Sequence, residues 1–270
     1  PNPPGGRTLE ATPATLAALV PTLLPGDTLR LRGGIYRHPL PLTIGVSGLP
    51  DNYITIEAAP GEEPVITQDL GAAYAWRPQD GVWATPILAQ YIENVWEGEH
   101  YLFRYKTLAE LQFRVKGPGG FFHDRANGLL YIQTLDGGDP TGRDIYIAQH
   151  INSTDKPWGK AWEVTGGYLE FKGLIFKWCS NGLVISGTEC VLDGCHGLAN
   201  QYLARVNGAT GGLARNCSAD GGPGYDTYKR RGYDWPGGRG IFVVEAARSF
   251  EIYGCQFTRL MDGISGFAYG

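Results

Sequence analysis

The sequence predicts an all-β solenoid of short, stacked strands, and three observations carry that expectation. Related segments recur at a nearly fixed period in the second half of the chain. Glycine reaches 40 of 270 residues, roughly twice the usual share, while charged residues stay at 19%. Apolar and polar residues also alternate over short runs, the pattern of half-buried strands.

The repeat starts at residue 169. "LEFKGLIF" (169–176), "CVLDGCHG" (190–197), "GLARNCSA" (212–219) and "FEIYGCQF" (250–257) align, with starts 21, 22 and 38 residues apart. Periods of about 20–50 residues mark stacked units, each burying its apolar face against the next. The third interval is longer by 16 residues, nearly the length of "GPGYDTYKRRGYDWPGG" (222–238). That stretch is therefore an excursion from one coil.

In this register Phe171, Leu192, Ala214 and Ile252 stack, as do Leu174, Cys195, Cys217 and Cys255, about 4.8 Å apart between coils. The three thiols are expected inside the coil as small hydrophobes. Together with Cys179 and Cys190 they lack Cys-x-x-Cys zinc spacing, and an odd total leaves at least one outside any internal disulfide. Second strands recur as "GLVIS", "YLARV", "GIFVV" and "GISGF". Gly182, Gly240 and Gly263 lead three of them, with tight turns expected before these strands and Asp262-Gly263 matching the expected turn Asn181-Gly182.

Upstream, Thr12 is the expected N-cap of a short capping helix, with Pro13 at its first position and a break near Pro21. "TLRLRGGIY" and "YITIEAAPGEEPVI" follow with period-2 alternation. "LPGDTLRLRGGIY" and "SGLPDNYITIEAAPGEEPVI" resemble the N-terminal cap and first coils of chondroitinase B-like and alginate lyase-like proteins, and the 169–270 coils resemble the generic repeats of the right-handed parallel β-helix (pectate-lyase-like) superfamily. The resemblance implies a right-handed parallel β-helix with an N-terminal capping helix.

Residues 74–148 break the period. "FFHD" and "LLYIQT" flank Asn127-Gly128 as a hairpin, and the segment is similar to the β-sandwich inserted in certain β-xylosidase-type glycosidases. The expected organisation is cap and first coils over 1–73, an inserted β-rich, sandwich-like subdomain over 74–148, and coils over 149–270 with a long loop at 222–238. The chain stops in mid-coil at "DGISGFAYG", so a longer protein is expected, or homo-assembly or a further chain that covers the open coil.

A net charge of −4 supplies no field for nucleic acid or anionic lipid, which argues against a nucleic-acid partner. No apolar run reaches membrane-spanning length, so membrane insertion is not expected. Pro1 follows no charged-then-apolar leader, which fits an exported, already processed protein located outside the cell or at its surface.

Stacked coils place outward side chains in columns: Lys172, Asp193, Arg215 and Tyr253; Ile175, His196, Ser218 and Gln256; Lys177, Leu198, Asp220 and Thr258. The alternating charge of the first column reads equally as a surface ion-pair ladder. A lyase of acidic polysaccharide needs a cation, or Ca²⁺, at the uronate carboxyl and a base beside the proton abstracted. Arg215, Lys229, Arg230 and Arg231 are the candidates for both.

A glycosidase needs two carboxylates, drawn from Asp193 and Asp220 with Asp226 and Asp234 as loop candidates and Asp262 as a weaker one. Tyr225, Tyr228, Tyr233 and Trp235, with His196 and Arg231, are the candidate sugar contacts, since aromatic faces suit sugar rings. The five histidines, His38, His100, His123, His150 and His196, show no metal-ligand spacing. No cofactor is called for beyond Ca²⁺ in a lyase. The expectation is an extracellular carbohydrate-active protein that cleaves or binds a polysaccharide, as a lyase or glycoside hydrolase if it is an enzyme. The alternative is a non-catalytic surface or fibre protein for adhesion or end-to-end assembly.

Overall fold

The computed structural model describes residues 6–38, 40–71, 73–88, 91–150, 159–200, 202–223, 239–244, 247–260 and 262–267. Period-2 alternation and corner residues wind this chain into a right-handed parallel β-helix with three walls. The first wall is a seven-stranded sheet of Thr8–Ala11, Thr28–Leu31, Ile54–Ala58, Leu169–Lys172, Val191–Asp193, Leu213–Arg215 and Glu251–Tyr253. The second comprises Gly34–Arg37, Pro64–Thr67, Ile175–Lys177, His196–Leu198, Ser218–Asp220 and Gln256–Thr258. The third comprises Leu42–Ile44, Lys160–Val164, Asn181–Ile185, Tyr202–Asn207, Arg239–Val244 and Asp262–Phe267.

Pairing between consecutive coils is parallel and in the expected register, with Phe171 opposite Leu192, Leu192 opposite Ala214 and Ala214 opposite Ile252. The first coils join the same stack across the insertion, since Ile56 pairs with Phe171 and Leu29 with Ile56. Leu174, Cys195 and Cys217 are buried and Cys255 is half-buried, so the thiol column lies inside the coil. Thiols here donate to backbone carbonyls, Cys195 to Phe171 at 3.4 Å and Cys190 to Gly166 at 3.4 Å.

Corners repeat as strictly as strands. Positive φ recurs at Tyr168, Glu189 and Ser249 before the first wall, and at Gly173, Gly194, Asn216 and Gly254 between the first and second walls. One left-handed residue turns the chain through the corner, which glycine does without strain and asparagine tolerates through its short polar side chain.

Asn181-Gly182 and Asp262-Gly263 correct the turn expectation, because both pairs lie within strands; Gly182, Gly240 and Gly263 stand near the start of theirs, as expected. A Cβ at Gly182 would stand 2.9 Å from Phe176, and one at Gly240 only 2.0 Å from the Phe257 ring. These glycines make room for aromatic side chains reaching in from the second wall.

The capping helix spans Leu16–Leu19 and continues as a 3-10 turn over Val20–Thr22 that carries Pro21. Its N-cap is Thr15 rather than Thr12. Thr12 still starts the turn, because its carbonyl accepts from the N–H groups of Thr15 and Leu16. No described helix is long and apolar enough to cross a membrane.

The inserted β-rich subdomain pairs a five-stranded sheet (Arg77–Gln79, Val82–Pro86, Phe103–Arg104, Gly120–Asp124, Leu129–Gln133) with a three-stranded one (Tyr91–Glu97, His100–Tyr101, Ile145–His150). Ile92, Val95, Leu102, Phe121, Leu130, Ile132 and Ile147 form an apolar cluster drawn from both sheets. The Asn127-Gly128 hairpin forms as expected, pairing Asp124 with Leu129 and leaving Gly128 at positive φ.

The subdomain docks on the corner after the second wall. Trp178 stacks on Tyr146 with ring centres 3.4 Å apart and planes 11° apart, and its indole N–H donates to the Gly98 carbonyl at 2.8 Å. Asn94 donates to the Ser180 hydroxyl at 2.8 Å, and the Asp69 carboxylate accepts from Ile147 N–H at 3.0 Å.

Candidate functional site

Strand alternation turns one residue in two outward, so the first wall's outer face carries the column Glu10, Arg30, Glu57, Lys172, Asp193, Arg215, Tyr253. Charges alternate along nearly its whole length. Arg215 contacts Asp193 at 2.8 Å and Glu170 at 3.6 Å, while Lys172 contacts Glu170 at 2.7 Å and Arg30 contacts Glu57 at 2.8 Å. Hydrogen bonding to Arg215, ahead of a contact from Asn216, lowers the Asp193 pKa. The Arg215 pKa is raised by Asp193 first and Tyr253 second, so its guanidinium holds its protons more firmly than usual. As placed, the pair suits charge neutralisation and not proton abstraction.

The second wall's outer face differs. His196 Nδ1 lies 2.8 Å from Ser218 Oγ on the next coil. Further along the same strands Asp220 receives a forked contact, Arg259 Nε to Oδ1 at 2.7 Å and Nη2 to Oδ2 at 2.5 Å. Its Oδ1 also accepts from Gly222 N–H at 3.0 Å. Burial acts to raise the Asp220 pKa, but Arg259, the Gly222 N–H and Thr258 outweigh it, and the net shift is downward.

The inserted subdomain reaches this face through Glu99. Its carboxylate contacts Lys177 Nζ at 2.6 Å, and Lys177 sits in the column of Leu198 and Asp220. The Glu99 carbonyl is so close to Gly222 that a Cβ there would lie 2.4 Å from it. Glu99 and Asp220 therefore both meet Gly222, one through its backbone and the other through its carboxylate.

Of the predicted residues, the structure brings His196 and Asp220 onto one outward face, and places Asp193 and Arg215 on the adjoining wall. It does not bring Asp193 and Asp220 into one sheet. Tyr225, Asp226, Tyr228, Lys229, Arg230, Arg231, Tyr233, Asp234 and Trp235 lie outside the described residues, and nothing is said of the Asp262 side chain. Sequence reasoning missed Glu99 and Arg259. Arg259 follows Thr258 and was within reach of the repeat extended by one residue. Glu99 sits in the aperiodic subdomain, where no spacing points to it.

Among the described residues no group of three or more His, Cys, Asp or Glu side chains converges as a metal ion would require.

No family model matches the chain, and no curated protein matches it. Among solved structures it is similar to a glycoside hydrolase (10% identity, TM-score 0.62, over 88% of this chain and 67% of that one). It is also similar to XylC in its complex with xylose (10% identity, TM-score 0.51, 96% and 65%). Pectate lyase Pel9A aligns at 13% identity with a TM-score of 0.48, over 94% of this chain and 48% of the lyase. The chain thus spans about half the length of the pectate lyase and about two thirds of the other two. At such identities the likeness is one of fold: the right-handed parallel β-helix.

Proposed function

We propose that the chain belongs to an extracellular carbohydrate-active protein that binds and cleaves a polysaccharide on the outward face of its second wall. One observation carries this reading: the Asp220 carboxylate accepts from Gly222 N–H, and Glu99, whose backbone carbonyl lies against Gly222, sets its carboxylate on Lys177 in the column of Asp220, beside the His196–Ser218 pair. Asp220, held in its ionised form, suits the nucleophile or charge stabiliser of glycoside cleavage, and Glu99 supplies the second carboxyl. His196 and Ser218 offer hydrogen bonds to sugar hydroxyls. The names of the similar solved structures, a glycoside hydrolase and XylC with xylose, agree with a saccharide ligand.

The test is release of reducing ends from a panel of neutral and acidic polysaccharides. Asp220→Asn and Glu99→Gln should each lower turnover by about a hundredfold or more. Products that absorb in the ultraviolet, as unsaturated uronate ends do, would assign a lyase instead. No product and no retention on any glycan would overturn the reading and favour a non-catalytic scaffold.

A further inference from the structure

Two cations gather on the inserted subdomain without an acid between them. Arg104 donates from Nη1 to the Tyr91 hydroxyl, and its guanidinium carbon stands 4.8 Å from the Tyr91 ring centre. The Arg125 guanidinium stands 5.5 Å from the same ring centre. Neither arginine forms an ion pair among the described residues. The neighbouring carboxylate, Asp124, is occupied by Asn127, whose backbone N–H reaches it at 3.2 Å and whose side-chain amide reaches it at 2.7 Å.

Like charges drawn to one ring repel, and ring–cation attraction offsets only part of that cost. A buried histidine adds an unused donor. His123 is 9% exposed, and its Nδ1 accepts from Ile92 N–H at 3.1 Å, so the neutral ring carries its proton on Nε2. Nε2 has no hydrogen-bond partner among the described residues. Both guanidiniums act on this ring, for burial first, then Arg125 and Arg104, push its pKa down to about 4 against the opposing effect of Asp124. Two fixed cations and a buried N–H are thus assembled at one end of the strand Tyr91–Glu97.

We propose that Arg104 and Arg125, beside the buried His123 ring, form an oxyanion subsite that takes the carboxylate of a uronate unit in an acidic polysaccharide. The planar guanidinium fork matches a carboxylate in two-pronged contact. The strand Tyr91–Glu97 spans roughly 20 Å from this subsite to the turn that carries Glu99. This inference rests on the polysaccharide reading above and specifies the charge of the polymer.

The test is calorimetric titration of the whole chain with a galacturonate hexamer, a neutral xylose hexamer and sodium sulfate. The galacturonate hexamer should bind more tightly than the xylose hexamer and weaken as salt rises. Arg125→Gln, at an exposed position, should melt like wild type and lose about tenfold or more of the galacturonate affinity. Arg104→Lys keeps the charge but not the fork and should lose less. Bound uronate should also raise the His123 ring pKa, read by NMR, because a nearby anion favours the imidazolium.

Unchanged galacturonate affinity in Arg125→Gln would overturn the subsite. So would sulfate binding as tightly as the hexamer, which would reduce it to an adventitious ion only. Wild type that binds the xylose hexamer and not the galacturonate one would overturn the subsite and leave the polysaccharide reading standing. Wild type that binds no glycan would overturn both.

Discussion

Arg259 closes on Asp220 at both carboxylate oxygens, at 2.7 and 2.5 Å, across neighbouring coils of the second wall. The contact fixes the orientation and charge of the carboxylate that the proposed chemistry relies on. It also links that chemistry to the coil repeat, because Arg259 comes directly after Thr258, the residue paired with Asp220.

Arg259→Gln should barely change stability, by about 0–1 kcal/mol, since both side chains are partly exposed. Its effect should appear in pH dependence. The Asp220 pKa is held down in part by Arg259, so losing the arginine raises it. Activity should then fail at a higher pH on acidification than in wild type, which a pH–rate profile on a cleaved polysaccharide would show.

Gly182→Ala should destabilise the fold by about 1–3 kcal/mol through overpacking against Phe176 and the Leu203 carbonyl, which the added Cβ would approach to 2.6 Å. Gly194→Ala meets nothing within 4 Å. Its cost, about 1–2 kcal/mol, comes from the left-handed backbone instead. Urea denaturation measures both. A turn role for Gly182 would instead give both variants the same backbone-dominated cost.

These glycines show where the sequence was legible and where it was not. Alignment of Cys195, Cys217 and Cys255 revealed the register of four coils because each coil buries the same column. The period alone could not say that a glycine opening a strand leaves space for a phenylalanine from another wall. Nor could it join Glu57 to Lys172, which pair across 115 residues, since the insertion interrupts the repeat between them. Arg104, Arg125 and Tyr91 come from three separate places in an aperiodic subdomain, so only tertiary packing brings them together.

Thiol chemistry should follow the column. Burial raises the pKa of Cys179 and of Cys190 to about 12, and Cys217 is raised by its contact with Cys195 and by burial. Cys255 is half-buried and also raised. In the native chain at pH 8 a disulfide reagent should modify Cys255 first, with Cys179, Cys190, Cys195 and Cys217 reacting only after denaturant is added. Rapid native labelling of Cys179 would place it outside the core.

His123 makes the fold sensitive to mild acid. Its pKa falls from the ordinary 6.5 to about 4 in the folded chain, chiefly by burial. The unfolded chain therefore takes up a proton between about pH 6.5 and 4 that the folded chain refuses, and stability falls across that window as pH drops. The contribution is about 3 kcal/mol at its limit. Urea titrations at pH 7 and pH 4 should show a smaller loss in His123→Gln than in wild type.

The location of a bound oligosaccharide tests the central claim most directly. With isotope-labelled full chain and the oligosaccharide best retained in the glycan panel, amide shifts should concentrate at Glu99, His196, Ser218 and Gly222. Shifts confined to the first wall around Asp193 and Arg215, or absent at saturating ligand, would contradict a polysaccharide site on the second wall.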